Sequence, residues 1–150
     1  MKKTDHKSEL KRSVAEAFES MAFQEVIPVP VNPLPAQVLR TFRQGTMTVY
    51  SPIQGTLVMT ISSAMLCSVT ASVYGVDPED INASMESDSL AEILNTIAGS
   101  WMRGITDTGQ AYELALPDTN EADYIDCKTA DLHCVFNADG DFIEVAFFPI

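Results

Sequence analysis

Two ten-residue stretches of similar sequence, 76 positions apart, constrain the fold of this 150-residue chain more than any other feature. The first, SVAEAFESMA, begins at Ser13, and the second, SLAEILNTIA, begins at Ser89. Aligned without a gap they share four residues, and most other positions keep their apolar or polar character. Each stretch has helical spacing, and strand-like runs follow each one. The sequence therefore predicts a single domain, residues 1–150, built by tandem duplication, with pseudo-repeats at about 1–76 and 77–150.

Three helices are predicted from the spacing of apolar residues. The two repeated helices span about residues 4–22 and 88–105, and SAMLCSVTASVYG predicts a short, mostly buried helix that ends at Gly75. After the first helix, the four prolines of IPVPVNPLP exclude both a helix and a central strand. That segment is predicted to be an extended connector that could include an edge strand.

Seven short runs have the composition of β-strands. They are AQVLRTFR, GTMTVYS and IQGTLVMTIS in the first half, and AYELALP, ADYIDCK, LHCVFNADG and DFIEVAFF in the second. NADGD, at residues 137–141, predicts a tight hairpin turn. Together these elements predict an α+β fold, in which the repeated helices pack on a largely antiparallel sheet.

The charge of the chain is uneven, and this narrows the range of partners. Residues 1–43 hold seven Lys/Arg and five Asp/Glu, whereas residues 44–150 hold two and sixteen. Such an acidic surface would repel the phosphate backbone of a nucleic acid. We therefore expect no nucleic-acid partner. No apolar run approaches the roughly 20 residues that span a membrane, and the basic N-terminus leads into an amphipathic stretch. We therefore expect no membrane partner and no secretory signal.

The three cysteines indicate a reducing compartment. They cannot all pair within one chain, and so sparse a set favours the cytoplasm. Cys127, His133 and Cys134 lie close together in the sequence, but no fourth ligand stands at a recognisable spacing. We predict no metal site.

The second repeated helix carries a polar pair on its outward face. At about 100° per residue, Asp88, Asn95, Gly99 and Arg103 fall within about 60° of Glu92. The opposite side carries a stripe of seven apolar residues, which are Leu90, Ile93, Leu94, Ile97, Ala98, Trp101 and Ile105. A polar face of this kind can be merely solvated. However, Asn is only a fair helix former, and Gly99 costs about 1 kcal/mol in a helix interior. With no internal packing expected around Gly99, we predict a bare patch where another protein could approach closely.

An exposed Glu beside an exposed Asn supports a narrow range of chemistry. The sequence offers no Ser–His or Cys–His arrangement and no Gly-rich phosphate loop. An Asn amide both donates and accepts, so it can hold a water molecule by two contacts. Phosphoryl hydrolysis needs this, because catalysis there is mostly positioning and charge neutralisation. A Glu could pair with a lysine of a partner that provides the metal and most of the active site.

This pattern resembles the signature of the CheC/CheX/FliY phosphatases of bacterial chemotaxis. The family has Asp or Ser, three residues, Glu, two residues, Asn, and a Pro a little over twenty residues further on. Here the matching residues are Asp88, Glu92, Asn95 and Pro117. The preceding IQGTLVMTISSAMLCSVTASVYGVDPEDI also looks like the family's glycine-led strand, buried helix and acidic turn. The acidic DTNEADYIDCK after Pro117 departs from the family's usual continuation.

The resemblance implies that the chain hydrolyses the aspartyl phosphate of a CheY-like response-regulator receiver domain. Glu92 would grip a receiver lysine, and Asn95 would enter the receiver's active site and orient the attacking water. Asp88 and Gly99 would lie in the contact surface. The chain would need no cofactor of its own, because the receiver would supply Mg²⁺.

The resemblance also offers a reason for the difference between the two repeated helices. Glu16 and Glu19 align with Glu92 and Asn95, and a Glu cannot hold a water as an Asn does. The first helix would then be a retired site, and one site per subunit is similar to the CheX branch, whose members act as homodimers. Two alternatives remain: a non-catalytic receiver-binding or dimerisation module with the same fold, and a structural domain with no receiver partner. Asn95 favours the enzyme, because a binding module does not need it.

Overall fold

A computed structural model describes residues 5–30, 42–120 and 124–150 of the chain. These residues form three α-helices that pack on one face of a six-stranded sheet. The helices are α1 (His6–Ala22), α2 (Ser63–Tyr74) and α3 (Ala83–Ile105), with a 3-10 turn at Pro78–Asp80 between the last two. The strands are β1 (Ile27–Val29), β2 (Phe42–Ser51), β3 (Gly55–Ser62), β4 (Glu113–Leu114), β5 (Leu132–Ala138) and β6 (Asp141–Pro149).

The sheet has the strand order β1-β5-β6-β3-β2-β4, and every neighbouring pair is antiparallel. The predicted hairpin turn joins β5 to β6, where Asp139 and Gly140 have φ angles of 52° and 89°. Positive φ at both central residues is typical of the type I′ turn, whose twist matches that of the flanking strands. The predicted α+β class and the largely antiparallel sheet are both confirmed.

Each helix-plus-strands half gives its first strand to the hairpin of the other half. β1 follows α1 but pairs with β5, and β4 follows α3 but pairs with β2. The two hairpins, β2–β3 and β5–β6, meet at the centre of the sheet, where β3 pairs with β6. The order helix, edge strand, hairpin thus occurs twice, as a duplicated chain would have it. The boundary between the repeats near residue 76 stays a prediction.

Helix α3 begins at Ala83, earlier than the predicted start at about residue 88. Asn82 caps it: its Oδ1 accepts a hydrogen bond from the backbone N–H of Met85 at 2.9 Å. Glu86 in the first turn complements the positive end of the helix. Apolar periodicity missed this turn because ASMESD has no apolar stripe, and the cap rather than core packing starts the helix.

The predicted strands before residue 63 differ in one respect. Phe42 and Arg43 continue into GTMTVYS as the single strand β2, because Gly45 pairs with Met59 of β3 instead of ending the strand. The other residues of AQVLRTFR, 36–41, lie outside the described residues. In the proline connector only Ile27–Val29 forms the edge strand β1, and residues 31–35 are likewise outside the described part.

Two of the four strands predicted after α3 are shorter than expected or absent from the described ranges, whereas the other two form β5 and β6. AYELALP contributes only the two-residue β4, and residues 124–128 of ADYIDCK form no strand. Residues 122–123 of that segment fall outside the described ranges. AYELALP lies at the edge of the sheet, and residues 124–128 lie on its face. Among the described residues, neither segment has a neighbouring strand on both sides, so a strand-like composition alone does not give a full strand there.

The apolar stripe of α3 is buried as predicted, at all seven positions. Trp101 is fully buried, and its ring packs edge-to-face on Phe147 with 5.2 Å between the centroids. Its Nε1–H donates to the carbonyl oxygen of His6 at 3.0 Å, so the polar atom of the indole is satisfied inside the core. Helix α3 is therefore fixed between α1 and the sheet.

Residues 124–130, which comprise the end of the acidic stretch DTNEADYIDCK and the two residues after it, cover the sheet face opposite to the helices. The Gln44 side chain makes two hydrogen bonds with the backbone of Ile125: Nε2 donates to the oxygen at 3.1 Å, and Oε1 accepts from N–H at 2.9 Å. The Tyr124 ring packs on Phe42, with 5.0 Å between centroids. Cys127 forms a small second cluster with apolar residues of β3 and β6. This part of the stretch is therefore on the far side of the sheet from α3.

No helix within the described ranges is both long enough and apolar enough to cross a membrane.

Candidate functional site

The outward face of α3 presents three exposed polar side chains in a row, those of Asp88, Glu92 and Asn95. Among the described residues, none of the three has a side-chain hydrogen bond or ion pair. The Glu92 carboxylate and the Asn95 amide therefore keep their donors and acceptors available for a partner. The predicted exposure of these residues is confirmed, whereas their roles stay predictions.

Contacts at both ends of α3 fix the position of this face. Near its start, the Arg43 guanidinium of β2 donates from Nη2 to the Ser87 hydroxyl at 2.7 Å and lies 3.8 Å, at Nη1, from the Glu86 carboxylate. Near its end, Trp101 is bonded to α1, as described above. Between these points Leu90 packs over Gly45, where a Cβ would lie 3.4 Å from the leucine Cγ. A site on a helix held in this way is more rigid than one on a loop.

Gly99 is not the bare patch that the sequence predicted. It is buried, because the Arg103 side chain folds back over it. A Cβ on Gly99 would lie 3.3 Å from Arg103 Nη1 and 4.0 Å from the Tyr112 hydroxyl. The expectation of no internal packing was wrong, since helical side chains lean toward the N-terminus and residues four apart meet. The place of Gly99 in a partner-binding surface stays a prediction.

A groove lies beside Asn95, between α3 and the chain that leads into β4. It encloses about 350 Å³. Its lining comprises Asn95, Thr96, Gly99, Arg103, Tyr112 and Leu114. Arg103 Nη1 donates to the Tyr112 hydroxyl at 3.4 Å, which joins the helix side of the groove to the opposite side. The position of Arg103 follows from helical spacing, but no sequence signal places Tyr112 here.

Pro117 lies in the segment that runs along the free edge of β2. On one side of it, the Ala115 N–H donates to the Thr48 oxygen at 2.9 Å. On the other, Asp118 exchanges two backbone hydrogen bonds with Thr46, at 2.8 and 2.9 Å. A proline has no N–H to leave unpaired, so it suits the middle of such an edge segment. This edge segment continues from the residues that close the groove.

The corresponding face of α1 is arranged differently. Glu16 and Glu19 are both exposed, but the Glu16 carboxylate lies 2.6 Å from Arg12 Nη1. Arg12 Nε also lies 2.9 Å from Glu9, so this face carries its own cation. On α3 the residue four before Glu92 is Asp88, so Glu92 has no such cation one turn before it.

A second group of polar side chains surrounds the buried Glu144 on the opposite face of the sheet. Its Oε2 lies 2.7 Å from His133 Nε2, and its Oε1 accepts from the Tyr124 hydroxyl at 3.1 Å. Burial, and then the charge of Glu144, raise the pKa of the Cys127 thiol and that of the Tyr124 phenol. A thiol with a raised pKa stays protonated, so it is a poor nucleophile and a poor metal ligand.

The residues that might have formed a metal site are not brought together. Cys134 belongs to the core beneath the helices, whereas Cys127 lies on the other side of the sheet. Across the described ranges, no group of three or more His, Cys, Asp or Glu is arranged to hold a metal ion.

The sequence model of a family described as "Chemotaxis phosphatase CheX" matches residues 43–137. The matched span begins at the arginine that fixes the start of α3 and includes Glu92, Asn95 and the groove. No curated protein matches the chain at a significant level.

Several solved structures have a similar fold over nearly the whole chain. The chemotaxis protein CheX from Vibrio vulnificus has a TM-score of 0.73 and 18% identity, covering 98% of this chain and 99% of that one. The protein CheX from Desulfovibrio desulfuricans has a TM-score of 0.73 and 14% identity, with 98% and 100% covered. A chain of the CheX–CheY–BeF3–Mg²⁺ complex from Borrelia burgdorferi has a TM-score of 0.68 and 15% identity, with 96% and 98% covered. At such identities the likeness is one of fold.

Proposed function

The chain belongs to the CheX family of chemotaxis phosphatases, and on this basis we propose that it hydrolyses the aspartyl phosphate of a CheY-like receiver domain. The similar fold of a chain from a CheX–CheY complex supports a partner of this kind. In this reaction a water oxygen attacks phosphorus, and the bond between phosphorus and the aspartyl oxygen breaks. The products are inorganic phosphate and the restored carboxylate of the partner.

The observation that carries the proposal is the exposure of Glu92 and Asn95 on one face of α3, with neither side chain bound to a described residue. The Asn95 amide can accept a hydrogen bond from the attacking water and donate one to it. The water must stand in line with the breaking bond, and such positioning accounts for much of the catalysis of phosphoryl transfer. An amide does not take up a proton at neutral pH, so Asn95 orients the water and does not act as a general base.

Glu92 precedes Asn95 by nearly one turn and would fix the register of the two proteins. A carboxylate that pairs with no cation of the described residues can form a charge-assisted hydrogen bond with a lysine of the receiver. Asp88 extends the acidic row toward the start of α3 and would lie in the same contact surface. Gly99, under Arg103, would lie at the other end of that surface.

The metal ion in this proposal belongs to the receiver. Mg²⁺ prefers six oxygen ligands in octahedral geometry, and Glu92 and Asn95 together offer too few. When bound to the receiver, Mg²⁺ would neutralise charge on the phosphoryl oxygens. The role of this chain is to bring the Asn95 amide and the Glu92 carboxylate to the receiver's metal site.

The action as a homodimer, expected from the CheX branch, stays a prediction. The competing function, a non-catalytic module that binds receivers or forms dimers, needs the docking surface but not the amide of Asn95. The two functions can therefore be separated by one substitution.

The test is the rate of phosphate loss from a phosphorylated receiver domain of the same organism, in the presence of Mg²⁺. We expect the wild type to accelerate the loss catalytically and Asn95→Ala to lower kcat by about 100-fold. Glu92→Ala should mainly raise KM, because it removes a docking contact. Glu19→Ala and Glu16→Ala, at the aligned positions of α1, are the matched controls and should leave the rate unchanged.

Two outcomes would contradict the proposal. If the wild type binds the receiver without shortening the lifetime of its phosphate, the chain is a binding module. If Asn95→Ala keeps the wild-type rate while its circular dichroism is unchanged, the water is oriented by another group.

A further inference from the structure

Arg103 is an unusual cation in its surroundings. Only Arg103 and Lys128 are basic in residues 44–150, against sixteen acidic residues. Lys128 lies 3.9 Å from the Asp126 carboxylate on the far side of the sheet. In contrast, no carboxylate of the described residues lies within 4.0 Å of the Arg103 guanidinium. Its hydrogen bond goes to a neutral group, the hydroxyl of Tyr112, and is long at 3.4 Å.

The guanidinium lies close to the proposed site. It covers Gly99, which follows Asn95 by one helical turn, or about 6 Å along the axis. Arg103 and Asn95 line the same groove of about 350 Å³. Arg103 is exposed, so its planar donors face the groove and the solvent rather than the core. A bidentate anion could replace the weak contact to Tyr112 at little cost.

We infer that Arg103 is a specificity-determining residue, which binds a carboxylate on the rim of the receiver's phosphorylation site while Asn95 enters that site. This inference rests on the proposed function. We expect the rim of a site that holds Mg²⁺ beside a phosphorylated aspartate to carry at least one further carboxylate, because proteins bind Mg²⁺ through one or two carboxylates together with phosphate oxygens and water. The row of Asp88 and Glu92 would repel such a rim. The other arginines beside α3, Arg12 and Arg43, already lie against carboxylates, so within the described ranges Arg103 is the arginine of this region left to attract the rim. Arg103 therefore adds a second fixed point to the docking register set by Glu92 and selects against partners without the matching acid.

The geometry favours a carboxylate of the rim over the phosphoryl group itself. The amide of Asn95 must reach the water at phosphorus, and the guanidinium is held one turn further along the helix. A carboxylate is present whether or not the receiver is phosphorylated. Substitution of Arg103 should therefore weaken binding to both forms of the receiver by the same factor.

The experiment measures kcat and KM for a phosphorylated receiver, and the Kd for its unphosphorylated form, at low and high salt. We expect Arg103→Ala to raise KM and Kd about five- to tenfold at low salt, with a smaller effect at high salt. Arg103→Lys should recover part of the loss, and Arg103→Glu should exceed it. Lys128→Ala removes the other cation of this acidic region and is the matched control, with KM unchanged. Reversing the charge of a rim acid of the receiver should restore binding to Arg103→Glu.

Three other outcomes would each contradict a different part of this inference. If the wild type is an active phosphatase and the Arg103 variants match it in KM and Kd, the inference fails and the proposed function stands. If Arg103→Ala weakens only the phosphorylated form, or lowers kcat with KM unchanged, Arg103 acts on the phosphoryl group and the assignment to a rim carboxylate is wrong. If the wild type leaves the phosphate lifetime of every receiver unchanged, the proposed function fails, and this inference fails with it.

Discussion

Arg103 folds back one helical turn over Gly99, and Arg12 reaches one turn forward to Glu16. The same four-residue spacing has opposite consequences on the two helices. On α1 it places a cation against the carboxylate that aligns with Glu92. On α3 the cation lies beyond the Glu–Asn pair, so Glu92 has no partner among the described residues. Single-residue neighbours, rather than the helix itself, distinguish the candidate site on α3 from the aligned positions of α1.

Because the Cys127 thiol is buried, we predict that the protein loses stability in alkaline solution. Burial and Glu144 raise the pKa of its thiol in the folded chain above the ordinary value of 9.0. Its contribution to stability is therefore fully present below pH 9.0 and is lost as the pH rises toward the folded pKa, because the unfolded chain ionises first. In that window the free energy of unfolding should fall by about 1.4 kcal/mol per pH unit for this thiol.

Urea denaturation in reductant at pH 8, 9 and 10 measures this slope. Cys127→Ala should be less stable at pH 8 but should lose stability less steeply above pH 9. The slope should not vanish in the variant, because the pKa values of Cys134 and Tyr124 are also raised in the folded chain. Identical slopes for the two proteins would show that this thiol does not contribute to the alkaline transition.

At the scale of secondary structure, the residue that caps α3 and the residues of the candidate site lie at different points along the helix. Its cap, Asn82, stands almost three turns before Glu92 and binds only the helix backbone at Met85. Its second asparagine on the outward side, Asn95, binds no described residue. The core stripe lies on the opposite side and runs from Leu90 to Ile105. One helix therefore offers two asparagines with different roles in the same fold.

The matched substitutions Asn82→Ala and Asn95→Ala should have opposite effects. Loss of the cap in Asn82→Ala should lower the free energy of unfolding by about 1 kcal/mol and leave the phosphatase rate of the folded protein unchanged. Asn95→Ala should leave stability unchanged or raise it by about 0.5 kcal/mol, since Ala is the better helix former, while it removes activity. Denaturation curves and phosphate release on both variants test this. A stability loss in Asn95→Ala would mean that its amide has a structural partner.

On the scale of the whole molecule, the sheet separates two groups of polar residues. The Glu–Asn pair and the groove lie on the outer side of the helix layer, and Glu144 with its partners lies on the opposite face of the sheet. The buried Glu144 connects β6 to β5 through His133 and to residues 124–130 through Tyr124. This second group has a structural role in the fold as described, which is to hold the chain after Pro117 against the sheet.

Glu144→Ala should therefore destabilise the protein without changing its chemistry. Removing one partner of a buried polar network leaves the others unsatisfied, and the expected cost is about 3 kcal/mol. The control Asp131→Ala removes an exposed carboxylate near the start of β5 and should change stability by less than about 0.5 kcal/mol. At a temperature where both variants are folded, kcat for the receiver should equal that of the wild type. A lower kcat in Glu144→Ala would show coupling between the two faces.

Local sequence patterns were sufficient to predict much of the fold. The helical spacing of α1 and α3, the type I′ turn at Asp139 and Gly140, and the outward position of Glu92 and Asn95 all depend on residues within a turn or two of each other. Such features follow from backbone geometry and from which side chains prefer water. The amphipathic stripe of α3 was predictable for this reason, and so was the row that carries the candidate site.

Tertiary structure alone decided the features that join distant residues. Gln44 and Ile125 are 81 positions apart, and nothing in either segment predicts that a side-chain amide will hold the other backbone to the sheet. The exchange of β1 and β4 between the hairpins, and Tyr112 opposite Arg103, likewise depend on how packed layers meet. Sequence periodicity reports which face of an element is apolar but not which partner covers it. It therefore determined the helix face that carries Glu92 and Asn95, whereas the packing between distant segments decided that a groove lined by Arg103 and Tyr112 would lie beside them.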